Sequence, residues 1–208
     1  GNAPVEIDLP FPLADPVIAT GSHMKNTVAL AWDNRMVLST HIGDLDSPRS
    51  QQVFTQVIDD PQKLYRIKAR AVICDTHPMY ASSRWAEKCG LPVTQVYHHR
   101  AHASALVLDH WNDADRENND WLVFTWDGSG LGEEDAVWGG EAFLGNPGHW
   151  QRRASLRPFH IPAADRAARE PWRCAAILAW ESGTEWHACP HDDTLLQQAW
   201  QRRINSPP

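Results

Sequence analysis

The sequence is poor in the short patterns that assign a protein at a glance. Its four cysteines, Cys74, Cys89, Cys174 and Cys189, stand far apart with no CxxC pair, which argues against a thiolate zinc knot. No apolar run approaches the roughly 18 residues of a membrane-spanning helix. The opening GNAPVEIDLPFPLADP has neither a basic nor an apolar signal region, so a cytoplasmic protein without membrane contact is expected. Basic residues are outnumbered 19 to 26, for a net charge of -7, and they form no stripe. That weighs against a nucleic-acid partner, because phosphate backbones are gripped by clustered lysine and arginine. Also missing are a GxxxxGK(S/T) phosphate loop, a GxGxxG dinucleotide turn and a GxSxG nucleophile elbow.

What remains is a chain able to fold. With 42% hydrophobic and 22% charged residues over 208 positions, it can bury one full domain, or one domain and part of a second. The proline-rich residues 1–16 read as an extended lead-in. VIAT is a short strand, and TVALAW and MVLSTHI flank a turn at Asp33-Asn34-Arg35 as a hairpin. Ser47-Pro48 opens a helix that Pro61 is expected to interrupt. AVICD and PVTQVY are strands, each followed by a helix. NDADRENND is a polar loop, and WLVFTWDGSG is a strand running into a glycine turn with AVWGGEAFLG returning. ADRAAREPWRCAAILAW and DDTLLQQAWQRR are helical. Strands alternating with helices predict an α/β domain with a mixed sheet, whose ligands lie beyond the carboxyl ends of the strands.

Asp75, the cluster YHHRAH and Asp127 all fall at such strand ends. A helix beginning near His98 puts His98 and His102 one turn apart on one face, with His99 pointing elsewhere. Two imidazoles make half a metal site, and Asp127 is the best candidate for the completing carboxylate. That donor set suits iron or zinc better than magnesium. A proton relay, a phosphate contact or plain helix packing are the other readings of the same spacing. DGSGLGEEDAVWGGE holds five glycines in fifteen residues. It reads either as an anion-binding nest of backbone N–H groups or as a glycine-rich hairpin with Trp138 packed beneath it. Lys25 could meet an anion but is more simply solvent-facing. Arg166, Arg169 and Arg173 make either an anion clamp or salt bridges with Asp165 and Glu170.

Six stretches in order, GSHMKNT, LSTHIGDLD, CDTHPMY, QVYHHRAHASA, DGSGLGEEDAVWGGE and ADRAAREPWR, resemble the carbamoyl-transfer region of the HypF family, which matures nickel–iron hydrogenases. The terminal NSPP is similar too. The resemblance implies an actin-like fold of the sugar-kinase/Hsp70 type, with a ribonuclease H-like lobe, shared with the enzyme that makes threonylcarbamoyladenosine in tRNA. It implies activation of carbamoyl phosphate by ATP to carbamoyl adenylate, then transfer to the C-terminal cysteine thiol of the partner HypE, the route to a cyanide ligand. None of the four cysteines here then needs to be catalytic.

Carried over by position, His98, His102 and Asp127 match the family's metal and catalytic residues, with iron, zinc or magnesium as the ion. Lys25, Asn26, Gly128, Ser129, Gly130 and Gly132 match nucleotide- or phosphate-handling positions. His41, Asp44, Asp75, His77, Arg166 and Arg173 match pocket motifs. The chain departs from the family in reading PAADR where PGGDR is usual, in lacking the acylphosphatase, zinc and adenylate-forming regions, and in stopping at Pro208. Together with a Gly1 start, these departures lead to the expectation of a partial chain. Residues 17–147 would form the first lobe and 148–208 the helical start of a second, with weak activity alone. The alternatives are an O-carbamoyltransferase acting on a small-molecule hydroxyl and a catalytically incomplete docking lobe.

Overall fold

A computed structural model describes residues 4–111, 120–162, 164–167, 169–186 and 194–204. Most of the polar NDADRENND segment, Ala163 of the PAADR departure and the terminal NSPP lie outside the described residues. The chain divides into two compact units, residues 1–155 and 156–208.

The first unit is built on a six-stranded mixed sheet. Its strands are β1 (Val5–Asp8), β2 (Val17–Ala19), β3 (Ala29–Trp32), β4 (Arg35–Leu38), β5 (Ala71–Asp75) and β6 (Val93–Val96), in the order β1-β4-β3-β2-β5-β6. β2, β5 and β6 run parallel, while the other pairings are antiparallel. The proline-rich lead-in thus supplies the edge strand β1. β3 and β4 are joined by a tight turn in which Asp33 takes a positive φ of 47°, a conformation that aspartate tolerates better than most residues. All four residues of β3 are buried, as expected for a strand covered on both faces.

Helix α1 (Pro48–Tyr65) starts with a reciprocal capping box between Ser47 and Ser50, and Pro48 stands in its first turn, where a missing N–H costs nothing. The interruption expected at Pro61 does not occur. Phe54 and Ile58 are sunk in the core and hold the helix one turn earlier. Each such side chain contributes about 1.5–3 kcal/mol by leaving water. The last turn closes at left-handed Arg66, with Ile67 N–H donating to the Gln62 carbonyl.

Helix α2 (Ala81–Lys88) links β5 to β6, and α3 (His98–Asp109) follows β6 immediately. α3 lies against a second sheet of β7 (Trp121–Leu131), β8 (Val137–Gly145) and β9 (Gln151–Ser155), burying Ala103 and Val107 with Val123, Trp138, Phe143 and Trp150. Two expectations need correcting here. The strand does not stop in a turn at Gly128; it bulges there and runs on to Leu131, and the reversal comes at residues 132–136. β9 was not anticipated because QRRAS is exposed at all five positions and carries no apolar alternation.

The second unit is helical: α4 (Ala164–Ala167), α5 (Trp172–Ser182) and α6 (Thr194–Ile204). Ala176, Ile177 and Leu196 form its buried centre, with Trp172, Trp180, Trp186 and Trp200 packed around them. Gly183 ends α5 at φ 70°, the left-handed cap that glycine adopts without strain. No helix among the described residues is long and apolar enough to cross a membrane.

Candidate metal centre

Neighbouring parallel strands β5 and β6 end side by side, so Asp75 and the start of α3 emerge at the same edge of the sheet. Tyr97 stays extended as the last residue before the helix, and His98 opens the first turn. The i, i+4 spacing then brings the His98 and His102 rings to a centroid distance of 4.7 Å, with Nε2 to Nε2 at 3.2 Å.

The third member comes from the second sheet. Trp126 pairs with Gly140 and Gly130 pairs with Trp138, so β7 spends four steps where β8 spends two. Asp127-Gly128-Ser129 thus stand opposite the single residue Gly139, a surplus of two. A bulge bends its strand and re-aims side chains. Here it brings Asp127 Oδ2 to 3.0 Å from His98 Nε2 and 3.6 Å from His102 Nε2. One ligand atom from each of His98, His102 and Asp127 lies within 4.8 Å of the others.

Asp75 sets the chemistry of the cluster. Its carboxylate is buried, and Oδ1 accepts the His77 backbone N–H at 2.9 Å. Oδ2 lies 3.0 Å from His98 Nδ1, which must therefore carry the proton and donate it. The His98 Nε2 lone pair is left facing the Asp127 carboxylate and the second imidazole. This is the carboxylate–histidine arrangement that orients metal ligands. The Asp75 hydrogen bond, reinforced by the charges of Asp75 and Asp127, outweighs burial and raises the His98 pKa above its ordinary value. A lone pair and a carboxylate oxygen in contact call for a positive charge between them, from a proton or a cation. Two imidazole nitrogens and one carboxylate, all partly open to solvent, could hold a metal ion.

Several other candidates from the sequence have structural employment. Asp44 accepts the backbone N–H of Lys25, whose own φ is positive and whose side chain is exposed. Asn26 is buried and donates to the Thr20 and Ser22 carbonyls, tying the β2–β3 loop. His41 is exposed. A side chain at Gly132 would sit 2.1 Å from Trp138 Nε1, so that glycine answers to packing, whereas Gly128 faces open space and Ser129 beside it is exposed. In the second unit, Arg166 and Arg173 both bond Glu170, the self-paired reading of that segment.

Two residues beside the cluster, His23 and Tyr80, were not singled out by sequence, and His99 was expected only to point elsewhere. Tyr80 is sandwiched between His77 at 4.2 Å and His23 at 5.6 Å. Burial, then the charges of Asp75 and Asp127, raises its phenol pKa. His23 accepts the Ala81 N–H on Nδ1 and faces Asp46 at 2.8 Å through Nε2. Tyr80 stands inside the CDTHPMY stretch and His23 inside GSHMKNT, so the signal for both was their place in those stretches. Beside the cluster, a cleft of about 390 Å³ opens at the ends of the parallel strands, lined by Gly21, Thr27, Asp75, His98, Ala101 and His102.

Two family descriptions match in sequence order: the HypF Kae1-like domain over residues 12–109, and the second subdomain of the carbamoyltransferase Kae1-like domain over residues 123–208. Carbamoyltransferase HypF of Synechocystis sp. is 39% identical over 208 residues, covering 99% of this chain and 27% of the relative. The Rhizobium leguminosarum protein of the same name is 39% identical over 167 residues, 80% of this chain and 21% of the relative. Among solved structures, full-length HypF in its phosphate- and nucleotide-bound form superposes with a TM-score of 0.77 at 24% identity, over 96% of this chain and 27% of that one. HypF of T. kodakarensis superposes at 0.71 with 22% identity, over 85% and 23%. The fold is therefore the actin-like, Kae1-like α/β architecture, and the chain spans about a quarter of the length of these relatives. By its two matched subdomains and its relatives, the chain belongs to the HypF carbamoyltransferase family, as a partial, Kae1-like region of it.

Proposed function

We propose that this chain carries the metal-assisted carbamoyl-transfer site of a HypF-type enzyme. In that reaction ATP activates carbamoyl phosphate as carbamoyl adenylate, and the acceptor is the C-terminal thiol of HypE. The observation that carries the reading is the convergence of His98, His102 and Asp127 on one point, with Asp75 orienting His98, at the mouth of a strand-end cleft. His98, His102 and Asp127 would hold the ion, iron or zinc by donor type with magnesium as the harder alternative. A divalent ion there supplies Lewis-acid polarisation of a carbamoyl carbonyl and neutralises phosphate charge.

The protein groups do the rest. Asp75 keeps the neutral His98 proton on Nδ1, so once the imidazolium gives up its other proton Nε2 is the electron donor. Small residues such as Gly21, Ala101 and Ala105 leave the cleft open beside the histidines. An adenylate bound there would need shelter from water, which an acyl-transfer site requires. Residues 17–147 are read as the first actin-like lobe, with Gly128 and Ser129 of the bulge free to approach a nucleotide. The thiol nucleophile comes from the partner, which fits Cys74 being buried, its pKa raised chiefly by desolvation.

The test is incubation of the chain and its His98→Ala variant with HypE, carbamoyl phosphate, ATP and a separately supplied adenylate-forming region that generates the carbamoyl adenylate, following mass gain on the HypE thiol. Carbamoylation that depends on His98 supports the reading, even if slow. Transfer that proceeds equally without His98 contradicts it. Transfer to a small hydroxyl acceptor in place of HypE points to O-carbamoylation.

A further inference from the structure

We infer that His99, the middle histidine of the cluster, is a positioning residue that clamps the Asp127 bulge onto the helix carrying His98 and His102. The inference rests on the metal reading above and deepens it. His99 is fully buried, at 0% exposure, so it contacts neither solvent nor a ligand directly. Its Nε2 lies 3.1 Å from the Gly139 carbonyl oxygen, and an oxygen acceptor requires that Nε2 carry the proton. Gly139 lies between Trp138 and Gly140, the two β8 residues whose pairing brackets the surplus of β7. The other side of that peptide is also held: Gly139 N–H donates to Glu141, itself buried and bonded by Arg152.

The far edge of the same ring presses on the bulge from the other strand. A side chain at Gly130 would stand 2.8 Å from His99 Nδ1, 2.9 Å from its Cε1 and 3.2 Å from His98 Cβ. The start of α3 therefore sits directly on the residue that closes the bulge. One imidazole touches both strands at the step where Asp127 is turned toward the histidine pair.

Packing alone does not account for this residue. His99 Nδ1 is buried without a hydrogen-bond partner, a cost that a leucine or phenylalanine of similar bulk avoids. What a hydrocarbon cannot supply is the directional bond to Gly139. Losing it frees the bulge to slide relative to α3, and metal-binding geometry tolerates little displacement.

The experiment titrates cobalt(II) into the whole 208-residue chain and into His99→Gln, His99→Leu, Gly130→Ala and, as a control at the other end of α3, His110→Leu. Visible absorption reads affinity and coordination geometry, and thermal melting reports folding. Glutamine places an amide N–H near the position of Nε2 and should restore the contact. Wild type, His99→Gln and His110→Leu are expected to share one spectrum and bind within about threefold of each other. His99→Leu and Gly130→Ala should fold yet lose about 10–100-fold in affinity, the range seen when a ligand's supporting contacts are removed. Long-range proton–nitrogen NMR of the metal-free chain should show His99 as the Nε2–H tautomer. A folded His99→Leu chain with wild-type affinity and spectrum overturns the positioning role alone, as does an Nδ1–H tautomer. If His99→Leu does not fold, Gly130→Ala and the tautomer decide. A wild-type chain that takes up no cobalt overturns the metal reading and the positioning role with it.

Discussion

Two segments of this chain place like-charged or ligating side chains at helical spacing, and they come to opposite ends. At the start of α3, His98 and His102 share a face, and their acid partners arrive from other strands: Asp75 from β5 and Asp127 from β7. In the second unit, Arg166 and Arg173 flank Glu170, and one carboxylate bonds both. The difference lies in where the counter-charge comes from. A partner inside the same seven or eight residues satisfies the pair locally and leaves nothing to bind. Partners brought in by the fold create a site that exists only when the sheets are in register. Helical spacing thus brings two side chains near each other but says nothing about whether their charges are already satisfied.

The contrast can be broken first at the ligands. His98→Ala or Asp127→Ala should abolish stoichiometric zinc, lowering affinity by at least about 100-fold, beyond the range for supporting residues. Equilibrium dialysis with metal analysis reads this, and a variant that keeps one tightly bound zinc breaks the triad. Asp75→Asn comes next, with an expected loss of about 10–100-fold in affinity, because His98 is no longer held in its Nδ1–H tautomer.

A pH series sharpens the same point. The His98 pKa is raised in the fold by the Asp75 hydrogen bond. Its contribution to the stability of the metal-free chain is therefore fully present below the ordinary histidine value and lost as pH rises through the raised one. Melting of the metal-free wild type against His98→Gln should show an advantage that shrinks on going alkaline. For zinc the trend reverses, since the ion must displace a proton and binds more weakly as pH falls. An advantage that grows with pH contradicts the assignment.

Smaller effects separate packing glycines from open ones. Gly132→Ala drives a Cβ into Trp138 and should cost about 1–3 kcal/mol, whereas Gly128→Ala meets nothing and should stay within about 0.5 kcal/mol of wild type. Equal melting shifts for the two would remove the distinction. Smallest of all, Glu170→Gln weakens the pairing with exposed Arg166 and largely buried Arg173 and should leave zinc affinity within about twofold of wild type.

The sequence made the frame of the site legible and hid its joinery. Alternating strands and helices announced the α/β order, and Asp75 and His98 could be placed at strand ends by where apolar runs stop, whereas Asp127, expected at such an end, lies in a bulge within β7. The pairing of His98 with His102 followed from helix geometry alone. The bulge could not be read, because it is a mismatch between β7 and β8, and one strand's residues do not reveal the other's register. For the same reason Asp75 looked like one pocket residue among several, although its bond to His98 spans 23 positions. His99 was set aside as pointing elsewhere. It does point elsewhere, and its destination, Gly139, lies 40 residues away. Pro61 misled in the other direction: local propensity argued for a break, and the burial of Phe54 and Ile58 overrode it.

X-ray absorption on the zinc-loaded chain addresses the joint placement of His98, His102 and Asp127 most directly. The account predicts a shell of light atoms at about 2.0–2.2 Å with the scattering signature of two imidazoles, reduced to one in His102→Ala. A shell containing sulfur at about 2.3 Å, or one without imidazole, would contradict it.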